Sequence, residues 1–412
     1  MFDLSKTRIL YLTAGEIPSK KNLIYSQVIK MAMKVKELEV FDDVCLFSFI
    51  PIRTILASYL RKRPASFKWY KDLNLKANWA RSLMVIDSVF AHFFKDMIIE
   101  ADTKKLIKKY SFVEGFSYII HCRSYIATDI ALKVCEKFPD INIKVLFDMR
   151  SILPPELYYS MGKLGDFFFV KSKIWERELL MRSDLSLLTT DRGIEYIKLE
   201  SPFVNLKKIN ILGFDTDFNN DADKIFEHRW NAKNISYIGS IGLWHPLKMI
   251  ENSLIYINNK IQNCHVSIVS SQTIETNISI SQKNHDEIMD YYNTLLAIVI
   301  PGKAPTTYFD TMQMSINLFS TKASEALSMG VPIIVNETIV EVANLVRKNN
   351  CGIVFRINKN HEIIIEDNVL SKINNKDFWY ELTKNAHELG TNYTFKKTLD
   401  TYLEYYKNID GA

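Results

Sequence analysis

Short apolar runs alternate with longer amphipathic stretches along nearly the whole chain. The runs have the length of buried strands, and the stretches between them have the spacing of helices that cover a sheet. This alternation is typical of α/β domains with parallel sheets. The predicted strands form a first series at residues 9–13, 44–49, 118–121, 144–148, 185–189 and 209–212, and a second at 235–238, 265–269, 297–300, 332–335 and 352–355.

The two series predict two domains of similar construction. The chain has 412 residues, which is the length of two domains, and the polar run NNDAD lies between the series. We therefore predict two doubly wound, Rossmann-like domains over residues 1–212 and 213–385, with a cleft at the carboxyl ends of the strands. Residues 377–406 are predicted to be helical throughout, and residues 386–412 to form a C-terminal helix.

Composition excludes several classes of protein. Hydrophobic residues make up 47% of the chain, and its net charge of +5 is too small for a nucleic-acid-binding protein. No apolar run reaches the roughly 18 residues of a membrane-spanning helix, and the N-terminus lacks a signal-peptide pattern. The five cysteines show neither CxxC nor Cys/His spacing, which indicates a reducing cytoplasm and no structural metal.

Residues 320–336, STKASEALSMGVPIIVN, carry the most informative pattern in the chain. Ser320 and Thr321 stand where a helix N-cap is expected. Gly330 then ends the predicted helix, Pro332 prevents its continuation, and a buried strand follows. The segment therefore predicts a helix, a turn and a strand.

Two charged residues give this helix a candidate chemistry. The N-terminus of a helix is a natural seat for phosphate, and Lys322 in the first turn would add a full positive charge. Glu325 lies one turn further along the same face, where its carboxylate could accept hydrogen bonds from a ribose diol. The pair indicates a sugar-nucleotide site. The alternative is an ordinary helix–turn–strand unit, which needs the glycine and the proline but neither charge.

Glycine-containing loops follow the first strand of each series. Gly239, Ser240 and Gly242 come after residues 235–238, where they let the backbone approach a ligand closely. Gly15 follows the strand at residues 9–13 in a comparable position.

The first series also delivers polar side chains to strand ends. His121 and Arg123 come at the end of the strand at residues 118–121, where they could line the cleft. A satisfied core histidine is the alternative for His121, while Arg123 is harder to explain in a core. Asp148 and Arg150 follow the next strand, as either a structural ion pair or groups that line the cleft.

The order of these features resembles the GT-B glycosyltransferases of family 4. The Lys322–x–x–Glu325 spacing with the following GVP is similar to the donor-site signature of that family. The resemblance implies two Rossmann-like domains that face a central cleft, with residues 386–412 crossing back to the first domain. It further implies donor contacts at Ser320, Thr321, Lys322, Glu325, Gly239, Ser240, Gly242 and Gly15, and a His or Arg facing the donor at His121 and Arg123.

The chain departs from the family pattern at two positions. Ser240 stands where many members carry an arginine that clamps the diphosphate, so the clamp would rest on Lys322, helix amides, and Lys248 or His245. Asn317 stands where many members carry a glutamate that contacts the transferred sugar. That departure leaves recognition of the sugar open.

The resemblance implies a retaining glycosyltransferase that needs neither a metal nor a cofactor. Its donor substrate would be a nucleotide-diphosphate sugar, and its acceptor a surface glycan or a lipid-linked acceptor such as lipopolysaccharide. Lys322, His121 and Arg123 would be its catalytic residues. Two alternatives stay open: a GT-B-fold sugar-nucleotide epimerase, and a non-catalytic GT-B subunit that supports a partner transferase.

A basic, aromatic stretch at residues 51–81 suggests a location for the enzyme. It contains eight basic residues, one acidic residue and several aromatic side chains, a combination that suits an anionic membrane surface. A solvated helical face is the alternative. We expect a cytoplasmic protein that can rest on the inner face of a membrane.

Overall fold

The protein is described here from a computed structural model, which covers residues 3–15, 24–53, 55–56, 73–83, 94–161, 165–214, 222–283, 285–358 and 362–409. The strands are β1 (Thr7–Ala14), β2 (Asp43–Pro51), β3 (Lys76–Ser82), β4 (Ser117–Arg123), β5 (Ile143–Asp148), β6 (Leu185–Leu188), β7 (Leu206–Lys208), β8 (Asn234–Ile238), β9 (His265–Val269), β10 (Ser279–Ser281), β11 (Leu295–Ile300), β12 (Ile333–Asn336), β13 (Gly352–Ile357) and β14 (Ile363–Ile364). The α-helices are α1 (Lys30–Glu37), α2 (Lys95–Lys109), α3 (Tyr125–Lys137), α4 (Leu153–Met161), α5 (Gly165–Arg182), α6 (Asp191–Glu200), α7 (Ala222–Ala232), α8 (Leu247–Lys260), α9 (His285–Tyr292), α10 (Tyr308–Met312), α11 (Thr321–Ser328), α12 (Val340–Asn349), α13 (Asp367–Leu370), α14 (Lys376–Gly390) and α15 (Phe395–Asn408).

The first compact unit comprises Met1–Thr189, Gly193–Ile209 and Leu399–Ala412. Its described strands form one parallel sheet in the order β3-β2-β1-β4-β5-β6-β7. Seven of the eight residues of β1 are buried, as expected for a parallel strand covered on both faces. The strand order reverses between β1 and β4, which marks the edge where such sheets bind ligands.

The second unit comprises Thr190–Arg192 and Asn210–Thr398. Its sheet has the order β10-β9-β8-β11-β12-β13-β14, with β14 antiparallel to β13 and the other described pairs parallel. The core clusters of this unit include the strand side chains together with those of α8, α11, α12 and α14. Its strand order reverses between β8 and β11.

The structure differs from the sequence prediction at several elements. β3, β10 and β14 were not predicted, because they are short or polar strands at or near the sheet edges. The predicted strand at 209–212 is wrong: β7 ends at Lys208, and the apolar residues that follow are buried in irregular backbone. The helix predicted over 377–406 is broken at Thr394, which has an extended conformation between a short 3₁₀ turn and α15. Residues 76–81 of the basic stretch belong to β3, and most of the remainder lies outside the described residues.

No helix in the described ranges is both long enough and apolar enough to cross a membrane.

Candidate functional site

The second unit has a candidate site at the carboxyl end of β8. Gly239 follows β8 directly, and its N–H donates to the Val269 carbonyl, which extends the pairing of β8 with β9 by one bond. Gln272 then holds the loop: its side chain accepts from the Ile241 N–H at 2.6 Å and donates to the Ile241 carbonyl at 3.0 Å. Two hydrogen bonds to one backbone residue give this loop a defined path.

Several backbone and side-chain contacts end helix α11 at its C-terminus. Gly330 adopts the left-handed conformation (φ +61°). Its N–H donates to the Leu327 carbonyl, and the next N–H donates to the Ala326 carbonyl, which together form a Schellman motif. The buried Arg229 guanidinium donates to the Met329 and Gly330 carbonyls, each at 2.7 Å. These contacts fix the orientation of α11 from its far end.

The N-terminus of α11 is formed as the sequence predicts. Ser320 is the N-cap residue, with an extended backbone (φ −72°, ψ 127°) and a side chain that makes no capping hydrogen bond. Thr321 is the first helical residue and is partly buried. Because the Ser320 hydroxyl does not cap the helix, the N–H groups that it would have bonded are left for another acceptor.

Lys322 lies directly against the loop after β8. A Cβ atom placed on Gly239, whose φ is +133°, would come within 2.3 Å of the Lys322 Cε atom. The Lys322 ammonium lies 5.4 Å from the centroid of the Tyr237 ring, within range of a cation–π attraction. Glycine is therefore favoured at position 239 by the backbone conformation, and the close contact shows that the flexible end of the Lys322 side chain lies against this residue.

Lys322 and Glu325 have pKa values displaced toward each other. Burial lowers the pKa of Lys322 to about 8, against the opposing effect of the Glu325 charge. Burial likewise raises the pKa of Glu325 to about 7, opposed by Lys322 and by the Tyr292 hydroxyl, which donates to Glu325 Oε2 at 3.2 Å. Neither charge is fully compensated by its surroundings, which is typical of groups that await a ligand.

His245 lies at the other end of the same loop. Its Nδ1 atom is 2.7 Å from the Pro301 carbonyl, which follows β11. Burial, aided by the Lys322 charge, lowers the pKa of His245 to about 3, so the ring is neutral at physiological pH. A neutral ring adds no positive charge to a diphosphate clamp, and the place of His245 in that clamp stays a prediction. Lys248, the other suggested residue, is exposed on α8.

The remaining predicted residues of the loop have different environments. Ser240 is exposed, and its carbonyl accepts a hydrogen bond from the Tyr237 hydroxyl. A Cβ atom at Gly242 would meet no neighbouring atom, so the fold itself does not require glycine there. Asn317 is buried, and its amide donates to the Gln313 side chain at 2.6 Å.

Gly15, His121 and Arg123 belong to the first unit. Gly15 has a φ of +92° and donates to the Phe49 carbonyl at 3.1 Å, which continues the pairing of β1 with β2. Arg123 is 9% exposed and donates to the Gln27 side chain at 2.8 Å. Both residues therefore have structural roles in addition to any contact with a ligand.

His121 is the centre of a buried polar cluster that joins β4 and β5 to the end of α15. Its Nδ1 atom lies 2.6 Å from the Tyr406 hydroxyl, and its Nε2 atom 3.4 Å from Asp148 Oδ2. Asp148 also accepts from Arg150 and from the Tyr402 hydroxyl, at 2.9 and 3.0 Å. Burial opposes the charge on Asp148, but the Arg150 guanidinium and His121 outweigh it and hold the pKa of Asp148 well below its usual range.

The structure thus favours the core alternative for His121 and the ion-pair alternative for Asp148 and Arg150. Within the second unit it gathers Lys322, Glu325 and Gly239 into one site. Sequence reasoning missed Tyr237, Gln272 and Tyr292, which shape that site. Tyr237 lies in β8, Tyr292 ends α9 and Gln272 lies in irregular backbone after β9, so no local motif joins the three.

Comparison with known proteins supports the fold. No family model matches the chain, and no curated protein sequence matches it. A sucrose-phosphate synthase from Thermosynechococcus elongatus is similar in structure, with a TM-score of 0.64 at 14% identity over 98% of this chain and 99% of that one. A glycosyltransferase from Rickettsia africae has a TM-score of 0.57 at 14% identity, with the same coverage.

A third solved structure is UGT2 from Phytolacca americana, complexed with UDP-2fluoro-glucose and pterostilbene. Its TM-score is 0.57 at 10% identity, over 97% of this chain and 99% of that one. These neighbours are GT-B glycosyltransferases, and the predicted fold class of two doubly wound, Rossmann-like domains is confirmed. At such low identity the likeness is one of fold.

Proposed function

We propose that this chain is a glycosyltransferase that takes a sugar from a nucleotide-diphosphate donor. The observation that carries the proposal is the Lys322–Glu325 pair on the first turns of α11, packed against the Gly239 loop at the carboxyl end of β8. A neighbouring structure with this fold is described as a complex with a UDP sugar, which fits the same class of donor.

In the proposed complex each group of the site has one task. The diphosphate lies at the N-terminus of α11, beside the Lys322 ammonium and the backbone of the Gly239 loop. Glu325 accepts hydrogen bonds from the ribose hydroxyls. When the bond between the sugar carbon and the diphosphate oxygen breaks, negative charge grows on the diphosphate, and the nearby positive charge of Lys322 stabilises it.

The finer parts of the proposal rest on the resemblance to family 4. They are retention at the anomeric carbon, independence of metal, a surface glycan or glycolipid as acceptor, and a cytoplasmic location that can include the inner face of a membrane. His121 and Arg123 would contact the donor only after exchanging the hydrogen-bond partners they have here. Lys322 is therefore the best supported of the three proposed catalytic residues.

Nucleotide binding is the first test of the proposal. The protein is heated with UDP, GDP, ADP and their sugar conjugates, because a ligand that binds the folded state raises the melting temperature. At least one nucleoside diphosphate is expected to do so. A panel in which no nucleotide raises the melting temperature would overturn the proposal.

Glu325→Ala then locates the site. The variant is expected to lose about 1.5–3 kcal/mol of nucleotide binding, the range for hydrogen bonds to a charged group. Glu337→Ala is the matched control, because Glu337 lies in the same unit and pairs with Arg347 at the surface. Unchanged affinity in a folded Glu325→Ala variant would remove this residue from the site.

Product analysis separates the alternatives. A transferase consumes its donor with an acceptor, and an epimerase changes the sugar without one. A binding subunit does neither. The hydrogen bond from Asn317 to Gln313 supports that alternative, because it occupies the side chain at the position where many family members carry a sugar-contacting glutamate.

A further inference from the structure

Three neighbouring strands of the second unit carry polar residues on the same face. Parallel strands that are buried on both faces are apolar throughout, yet β8, β9 and β10 begin NIS, HVS and SIS, with a polar residue at every second position. Ser267 in β9 pairs with Ser236 in β8 and with Ser279 in β10. His265 likewise pairs with Asn234. Because these positions are in register, their side chains form one polar surface at this edge of the sheet.

A cavity of about 590 Å³ opens on this polar surface. Its volume is in the range of sites for small molecules. It reaches Asn234 at the start of β8, whereas the candidate donor site begins at Gly239, after the end of that strand. At about 3.3 Å per residue the two positions lie roughly 16 Å apart along β8. The cavity is therefore separate from the candidate donor site.

Three hydroxyl groups form a closed hydrogen-bonded triangle beside the cavity. The Ser236 hydroxyl lies 2.8 Å from that of Ser267 and 2.7 Å from that of Tyr291, and the last two are 2.8 Å apart. Each hydroxyl has one proton, so the triangle uses all three protons, while each oxygen keeps a lone pair. Ser267 and Tyr291 line the cavity and offer it acceptors alone. A ligand has to meet them with a donor, such as a hydroxyl group.

Lys283 gives the cavity the opposite property. Its ammonium lies 4.7 Å from the centroid of the Tyr291 ring, and among the described residues it has neither an ion-pair partner nor a hydrogen-bond acceptor. None of the residues in the described ranges that line the cavity is acidic. An ammonium carries three donors and a full charge, and its strongest hydrogen bonds go to anionic oxygens. At this end the cavity therefore favours an anionic group.

We propose that this cavity is a second ligand site, which binds a small sugar that carries an anionic group, either a phosphate or a carboxylate. The anionic group lies at Lys283, and sugar hydroxyls donate to Ser267 and Tyr291. The Ser279 and Ser281 hydroxyls also line the cavity and can donate or accept. A neutral sugar would leave the Lys283 charge without a partner, and an anion without hydroxyls would bring no donor to the triangle. The ligand needs both parts.

The measurement is calorimetric titration of the full chain with the 6-phosphates and the uronates of glucose, galactose and mannose. At least one of these probes is expected to bind at least tenfold more tightly than both its uncharged hexose and inorganic phosphate. Comparison of the phosphates with the uronates shows which anionic group the site accepts. If none of the six probes binds, the inference is overturned.

Lys283→Met tests whether the probe lies in this cavity. The variant is expected to bind the probe at least tenfold more weakly, because it loses the charge that the anionic group contacts. Lys260→Met is the matched control. The Lys260 ammonium also lies near a tyrosine ring, 5.5 Å from the centroid of Tyr256, but Lys260 does not line the cavity. Its replacement should change the affinity less than about twofold.

A second variant fills the cavity instead of discharging it. Ser279 is exposed on β10, which is an edge strand, so a larger side chain fits there without disturbing the core. Ser279→Phe should abolish binding of the probe and leave the melting temperature of the free protein unchanged. Normal binding in this variant would overturn the inference.

The candidate donor site is the competing location for such a probe, and Lys322→Met separates the two. Loss of affinity in Lys283→Met with normal affinity in Lys322→Met supports the inference. The reverse result places the probe in the donor site and overturns the inference, as do equal losses in Lys283→Met and Lys260→Met. The nucleotide panel tests the donor site alone, so the proposed function and this inference can each fail without the other.

Discussion

The two units treat buried charge in opposite ways. In the first, Asp148 Oδ2 contacts Arg150, His121 and Tyr402, which hold the pKa of Asp148 well below its usual range, although Asp148 Oδ1 has no partner among the described residues. In the second, Lys322 and Glu325 have only weak mutual support, and burial moves both pKa values toward neutrality. The first arrangement stabilises a structure. The second is available to stabilise a bound anion.

The same difference explains why we interpret two buried histidines, His121 and His245, differently. His121 has a partner at each ring nitrogen, whereas the described part of the chain provides His245 with a partner at Nδ1 alone. A polar group whose hydrogen bonds are complete within the fold needs no ligand. A polar group with an unpaired atom can contact either water or a ligand.

The largest expected effect is on stability, in the first unit. Asp148→Asn should lower the free energy of unfolding by about 3 kcal/mol, because it leaves the Arg150 charge buried without its carboxylate. Chemical denaturation measures the loss, and nucleotide affinity should not change. Asp42→Asn is the matched control, because Asp42 forms a partly exposed pair with Arg8 and should cost less than about 1 kcal/mol. Equal losses in both variants would contradict the comparison.

The second effect is on turnover, in the second unit. Lys322→Met should reduce turnover about 100-fold, because it removes the positive charge beside the departing diphosphate. The melting temperature should stay the same or rise, since a poorly compensated charge is replaced by an apolar side chain.

Lys248→Met is the matched control for this substitution. Lys248 lies in the same unit but is exposed, and its replacement should leave turnover near the parent value. A loss of turnover in Lys248→Met with normal turnover in Lys322→Met would move the diphosphate to the other lysine.

Much of the fold could be predicted from the sequence, because central parallel strands are buried on both faces and appear as continuous apolar runs. The polar edge strand β3, KANWARS, has no such signal and depends on pairing with β2. The apolar residues after β7 gave a false signal, since Ile211 and Phe214 are buried in the core without belonging to a strand.

Part of the candidate site could likewise be predicted from the sequence, and part of it could not. Lys322 and Glu325 could be predicted because both lie on one helix face, three residues apart. The environment of His121 could not, because its partner Tyr406 is 285 residues away in the sequence. The role of Tyr292 was likewise hidden, since it contacts Glu325 from a separate helix.

The third effect is on the pH dependence of binding. Lys322 is cationic below its pKa of about 8, and a bound diphosphate raises that pKa, so affinity should fall as the pH rises above about 8. Glu325 is ionised above its pKa of about 7, and ribose hydroxyls favour the carboxylate, so affinity should fall as the pH drops below about 7. Calorimetry with a sugar nucleotide, whose phosphates do not titrate in this range, should show a maximum between the two values.

Variants assign the two limbs of this profile. Lys322→Met should remove the alkaline limb, and Glu325→Gln should remove the acid limb. Because each charge stabilises the other, the limb that is left should move: the acid limb to higher pH in Lys322→Met, the alkaline limb to lower pH in Glu325→Gln. A flat profile in the parent would mean that neither group contacts the nucleotide.

The smallest effect concerns a single hydroxyl group. Tyr292 is fully buried and donates to Glu325 Oε2 at 3.2 Å, which favours the ionised carboxylate. Tyr292→Phe should therefore raise the pKa of Glu325 and shift the acid limb of the binding profile to higher pH by a few tenths of a unit, at a cost of about 1 kcal/mol in stability. Tyr291→Phe is the control: it removes a hydroxyl that bonds to Ser236 and Ser267, so it should cost similar stability without moving the acid limb. An equal shift of the acid limb in both variants would mean that the shift comes from a general loss of stability in the unit. The pKa of Glu325 would then not depend on the Tyr292 hydroxyl.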